Sequence, residues 1–143
     1  MGTWGTGLFD HDGAGNETDR LRQRPETAIH EVMAYLNAVI ANGRIHSWHA
    51  TVETVALAAV VAAWGDGLEV AGTPAAVTLW LKHQTEHNHK PSRLHLRTAQ
   101  TAVRLALPSH QTGNWKSATM EQQYVANLHQ LKDRLDRLVT LSA

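Results

Sequence analysis

The stretch VETVALAAVVAAW, residues 52–64, is apolar at nearly every position and decides the fold of the chain. Alanine occupies positions 56, 58, 59, 62 and 63, so neighbouring helices are able to approach closely. A helix that is apolar all round is typical of a core element contacted on several sides. Its most apolar part, residues 55–64, is about half the roughly 20 residues needed to span a membrane. We therefore predict a central helix in a soluble protein, ended by Gly65 and Gly67.

Amphipathic patterns precede and follow this central helix. Apolar side chains recur at intervals of three and four over residues 29–40, and Gly43 is placed to cap that helix at its C-terminus. Thr73-Pro74 predicts the start of the next helix, with proline at its first position. Each pattern predicts a helix that buries one face.

Two further helices are predicted in the C-terminal half. Pro91-Ser92 opens the first, and Pro108 closes it. Thr119, with Gln122 three residues later, resembles a capping box for the second. That last helix carries a core-facing stripe: Tyr124, Leu128, Leu131, Leu135 and Leu138.

The whole chain predicts one all-α domain, residues 1–143, built as a globular bundle of five or six short helices. A chain of this length buries about 68–70% of its unfolded surface, which is enough for a core without cross-links. There is no cysteine, which excludes disulfides and thiol nucleophiles and fits a reducing compartment. No signal-peptide pattern is present, and we expect a cytoplasmic protein.

Residues 1–15 are too rich in glycine to form a regular element. Trp4 and Phe9 each carry enough apolar surface to be worth burying, roughly 1.5–3 kcal/mol apiece. Chain termini are usually loose, whereas these aromatic side chains predict a segment tied to the core. We expect residues 1–15 to be an irregular anchoring segment.

The same segment carries a family resemblance. Its spacing resembles the opening signature M-G-x-W-G-x-G-x-F-D-[ND]-D of the domain of unknown function 4259 (DUF4259) family of small bacterial proteins. The matching residues, which we take as a structural signature, are Trp4, Gly5, Gly7, Phe9, Asp10 and Asp12. Resemblance to this family implies membership and fold without implying a mechanism.

Asp10, His11 and Asp12 are candidate metal ligands. Asp10 to Gly15 begins like a calcium loop, but the positions that need an oxygen ligand and a final carboxylate hold Ala14 and Leu21. The carboxylates would alternatively cap helix N-termini, where a negative charge contributes 0.3–1 kcal/mol. A looser divalent site and a purely structural role both stay open.

His83 and His87 are a second candidate metal pair among ten histidines. They are four residues apart on a predicted helix, so both rings face one side. Glu86, His89 and His95 are near enough in sequence to complete a tetrahedral zinc or nickel set. The alternative is that these histidines are solvent-exposed near a helix C-terminus, where their protonated form is favoured.

The charge pattern bears on partners. Residues 1–72 hold four basic and nine acidic residues, a net charge of −5, while residues 73–143 hold nine and four, a net charge of +5. The total is zero, and no helix-turn-helix signature is present, which disfavours a nucleic-acid partner. The basic residues that would form such a face are Lys82, Lys90, Arg93, Arg97 and Arg104. We expect another protein as partner, no membrane, and an oligomeric state that the sequence leaves open.

The sequence shows no assembled nucleophile, base and oxyanion set, so no catalytic or cofactor-binding residue is assigned. We therefore expect a non-catalytic binding or interaction module, immunity-like or regulatory, that needs no cofactor. The alternative is a metal-dependent enzyme or metal-binding protein that uses Asp10, His11 and Asp12 together with the helix histidines.

Overall fold

The computed structural model describes residues 8–9, 27–69, 72–112, 115 and 117–142. These residues form five α-helices and no strand. The helices are α1 (Ala28–Asn42), α2 (Trp48–Asp66), α3 (Ala75–Glu86), α4 (Arg93–Ala106) and α5 (Ala118–Leu141), and a 3-10 helix, Leu107–Thr112, follows α4. The all-α class expected from the sequence is confirmed. A single domain over residues 1–143 stays a prediction.

Helix α2 is the centre of the bundle. Every residue from Thr51 to Ala63 is buried, and α2 contacts α1, α3, α4 and α5. None of the helices in the described ranges is long and apolar enough to cross a membrane. The apolar run thus forms the core helix that its composition predicts.

The ends of α2 differ from the prediction. The helix begins four residues before Val52 because the Ser47 side chain accepts a hydrogen bond from the Ala50 N–H at 3.1 Å. It continues through Gly65 to Asp66, so the expectation that Gly65 ends it was wrong. Gly67 closes the helix, since its φ of 72° lets its N–H reach the carbonyl of Ala63 at 2.8 Å.

Other helix ends follow local signals. Gly43, at φ 79°, caps α1 as predicted. Pro74 precedes the first residue of α3 rather than occupying it. Ser92 and His95 form a reciprocal capping box at α4. Helix α5 begins after Ser117, whose side chain accepts from the Met120 N–H, so the predicted cap at Thr119 was wrong.

One face of each surrounding helix packs towards α2 to form the core. In α5 the buried positions are Tyr124, Leu128, Leu131, Leu135 and Val139, with Leu138 only partly buried. Leu8 and Phe9 are also buried and belong to the same core cluster. The other signature positions of the opening segment lie outside the described residues, so its anchoring role as a whole stays a prediction.

Two polar contacts tie α2 to its neighbours. Arg134 on α5 donates to both carboxylate oxygens of Asp66, at 2.8 and 3.0 Å, and also to the carbonyl of Leu68. At the other end of α2, Glu53 accepts from the Tyr35 hydroxyl of α1 at 2.6 Å and contacts His49. The buried carboxylate of Glu53 is therefore satisfied, and both contacts orient α2 in the bundle.

Candidate functional site

A pocket of about 700 Å³ lies at the C-terminal end of α3, between that helix, α1 and α2. We call it the histidine pocket. The described residues that line it are Ile29, His30, Trp64, His83, Gln84, His87, Asn88, His89 and Lys90. Four of these nine carry imidazole rings and none is acidic. The volume lies within the usual range for small-molecule sites, about 300–1,000 Å³.

The turn after α3 places three of the lining residues. The N–H of His89 donates to the carbonyl of Gln84 at 2.8 Å, and the N–H of Asn88 donates to the carbonyl of Thr85 at 3.1 Å. This is the Schellman pattern, which needs a left-handed residue at the position of Asn88. Asn88 adopts φ 53°, and asparagine tolerates that region better than most residues.

Trp64 of α2 holds this turn against the bundle. Its indole N–H donates to the carbonyl of His89 at 2.9 Å. The ring packs edge-to-face on Trp80, with centroids 5.4 Å apart, and lies 5.2 Å from the His95 ring. One wall of the pocket is therefore fixed by both a hydrogen bond and aromatic packing.

His83 and His87 face the pocket as a pair. Their ring centroids are 4.2 Å apart, and Nδ1 of His87 lies 2.9 Å from the carbonyl oxygen of His83. A carbonyl only accepts, so Nδ1 carries the proton in this bond and Nε2 of the neutral ring keeps its lone pair. The His89 ring lies 6.0 Å from that of His87.

Gln84 is the buried polar group of the pocket. The residue is only 6% exposed, and its side chain lines the cavity. No hydrogen bond is formed by its side-chain amide within the part of the chain that the structure describes. The amide is therefore placed to bond a group that enters the pocket.

His95 stands behind Trp64 and outside the pocket lining. Its Nδ1 accepts from the N–H of Ser92 at 3.1 Å, which requires that this nitrogen be unprotonated. Burial, together with the charge of nearby His30, lowers the pKa of His95 below its ordinary value. Its role in the structure is to cap α4.

The structure brings together some of the predicted metal ligands and separates others. His83, His87 and His89 share the pocket, whereas His95 caps α4 and Glu86 lies outside the lining, 4.0 Å from Lys82. Across the described ranges, no group of three or more histidine and acidic side chains is already arranged to hold a metal ion. The candidates Asp10, His11 and Asp12 lie outside the described residues.

Sequence reasoning missed His30 and Gln84. His30 comes from α1, more than fifty residues before His83, and no local pattern links the two. Gln84 had a readable signal, because it continues the inward stripe of α3 after Val77 and Trp80 at steps of three and four. A polar residue on such a stripe indicates either a buried hydrogen bond or a ligand contact.

A family model described as "Domain of unknown function (DUF4259)" matches residues 2–134. No curated protein and no solved structure matches the chain.

Proposed function

This chain belongs to the DUF4259 family, and we propose that it acts as a non-catalytic binding module whose ligand site is the histidine pocket. The ligand is a polar small molecule or a polar side chain of a protein partner. The immunity-like or regulatory role expected from the sequence belongs to this proposal, with the partner's side chain occupying the pocket.

The observation that carries the proposal is the position of the Gln84 amide, which lines the pocket on an otherwise buried residue. The residue is 6% exposed, and its amide stays accessible from the cavity. Gln84 lines the cavity, so a ligand with a carbonyl, carboxylate or azole group would form a hydrogen bond with its amide. A hydrogen bond from a ligand to this amide contributes about 0.5–1.5 kcal/mol to affinity.

The surroundings of Gln84 suit recognition of a polar ligand. Trp64 and Ile29 supply apolar and aromatic surface, while the exposed rings of His87 and His89 supply hydrogen-bonding nitrogens at the rim. Pockets that combine apolar walls with a few placed polar groups are the usual form of ligand sites. The fixed turn at Asn88 adds preorganisation, which lowers the entropic cost of binding.

Ligand-observed NMR on the untagged full chain tests this proposal, with a library of small amides, carboxylic acids and azoles as probes. Members should bind the natural protein and the variant Gln130→Leu, an exposed glutamine on α5, with equal affinity. Binding to Gln84→Leu should fall at least fivefold, and the ligands should be recovered unchanged. The proposal would be contradicted by an unchanged affinity in Gln84→Leu, by the absence of binding by any probe, or by chemical conversion of a ligand.

The alternative function, a metal-dependent enzyme or metal-binding protein that uses Asp10, His11 and Asp12 together with the helix histidines, stays a prediction. Those residues lie outside the described part of the chain, and the geometry of the histidine pocket neither uses nor requires them.

A further inference from the structure

We propose that His83 and His87 anchor a binding site for one divalent late first-row transition ion, of the zinc, nickel or copper class. The inference goes beyond the proposed function: it uses the same pocket but different side chains. It concerns the imidazole rim, whereas the organic ligand proposed above depends on Gln84.

The spacing of the pair is suited to chelation. Residues four apart on a helix lie one above the other on the same face, and the two rings are 4.2 Å apart between centroids. Both side chains therefore reach one ion without any change in the backbone of α3. Late first-row ions favour imidazole ligands, whereas magnesium and calcium favour oxygen.

The tautomer of His87 leaves Nε2 available to bind a metal ion. Metal-ligating histidines usually donate the other ring N–H to a carbonyl or carboxylate, which fixes the ring and raises the basicity of the ligating nitrogen. His87 already donates Nδ1–H to the carbonyl of His83 at 2.9 Å. Its Nε2 is the nitrogen left to bind the ion.

His89 supplies the third imidazole, and water completes a tetrahedral set of the kind known for zinc. Its ring is 6.0 Å from that of His87, so binding requires a change of side-chain rotamer at His89. The residue is exposed, and its backbone is held by the bonds to Gln84 and Trp64. The side chain is therefore able to move while its Cα stays in place.

The end of α3 and Lys90 act on a bound cation with opposite sign. The site lies in the last turn of α3, and the C-terminal end of a helix carries partial negative charge that favours a cation. Lys90 lines the same pocket and opposes a second positive charge. Removing the charge of Lys90 should strengthen metal binding, whereas the same change would weaken binding of an anion.

Isothermal titration of the untagged full chain with Zn²⁺ tests the inference. We expect one ion per chain, a loss of at least tenfold in affinity in His83→Ala and in His87→Ala, and a smaller loss in His89→Ala. The matched control is His129→Ala, an exposed histidine on α5 away from the pocket, which should bind like the natural protein. Lys90→Gln should bind Zn²⁺ at least as tightly as the natural protein, and circular dichroism should show each variant to be folded.

Three results would overturn the inference: no stoichiometric Zn²⁺ binding by the natural chain, an unchanged affinity in both His83→Ala and His87→Ala, or weaker binding in Lys90→Gln. The fragment assay separates this failure from failure of the proposed function. Fragments that depend on Gln84 while Zn²⁺ does not bind would reject the metal site alone. Zn²⁺ binding without any fragment binding would reject the organic ligand and leave the metal site standing.

Discussion

Substitution of Asn88 tests whether the turn after α3 is held in the left-handed conformation that places the pocket residues of this turn. Its φ is 53°, and its side chain makes no hydrogen bond among the residues described. Substitution there consequently reports on the backbone. The variants to compare are Asn88→Gly, Asn88→Ala and Asn88→Val.

The expected magnitudes follow from backbone sterics. A left-handed residue that carries a Cβ costs roughly 1–2 kcal/mol, and the cost is highest for a β-branched side chain. Asn88→Gly relieves this strain in the folded state, but glycine also raises the entropy of the unfolded chain, which destabilises the fold by about 0.4–1 kcal/mol. Because the two effects oppose each other, the stability of Asn88→Gly should stay near that of the natural protein. Asn88→Ala should fall about 1 kcal/mol below Asn88→Gly, and Asn88→Val should fall about 2 kcal/mol below it.

Urea unfolding followed by circular dichroism measures these differences. A change of about 1 kcal/mol corresponds to roughly 0.3–1 M in the midpoint at ordinary m-values. Gly43→Ala is the matched control, because its φ is 79° and an added Cβ would meet nothing within 4 Å. It should lose about as much stability as separates Asn88→Ala from Asn88→Gly. Equal midpoints for Asn88→Gly, Asn88→Ala and Asn88→Val would refute the left-handed turn.

Three further predictions concern contacts elsewhere in the chain. The fold lowers the pKa of His95, so the stability that neutral His95 contributes is complete above about pH 6.5 and is lost as pH falls through the lower folded pKa. When unfolding is measured at pH 7.5 and pH 5, His95→Gln should therefore lose less stability on acidification than the natural protein. An equal loss in the two proteins would contradict this. Arg134→Met should lower the free energy of unfolding in urea by about 2 kcal/mol, since it leaves the half-buried carboxylate of Asp66 without its two charged hydrogen bonds. The exposed control Arg137→Met should lower it by less than about 0.5 kcal/mol. Trp4→Ala should destabilise the fold by roughly 3–5 kcal/mol if the opening segment is anchored as predicted, and an unchanged thermal midpoint would mean that Trp4 is exposed.

The parts of the fold that could be predicted are those with local causes. The apolar run of α2 specified a core helix, and Gly43 and Ser92 marked helix ends because caps depend on neighbouring residues. The start of α5 was missed because Ser117 and Thr119 are both acceptable N-cap residues, so the local sequence does not choose between them.

The candidate site was predictable only in part. The spacing of His83 and His87 was visible because one helix turn sets it. The contribution of His30, the hydrogen bond from Trp64 to His89 and the pair between Asp66 and Arg134 all join distant positions, and the packing of helices creates them. For Gln84 the helical stripe gave a signal, but burial facing a cavity became visible only in three dimensions.

Amide and indole chemical-shift mapping on the untagged full chain is the most direct test that the histidine pocket is the ligand site. The protein would be titrated with the tightest polar fragment from the library and, separately, with Zn²⁺. We predict that shifts for both probes concentrate on residues 83–90 and that the Trp64 indole N–H responds, while α5 stays unchanged. Shifts confined to residues 1–15, shifts confined to α5, or no shifts at saturating fragment would contradict the account.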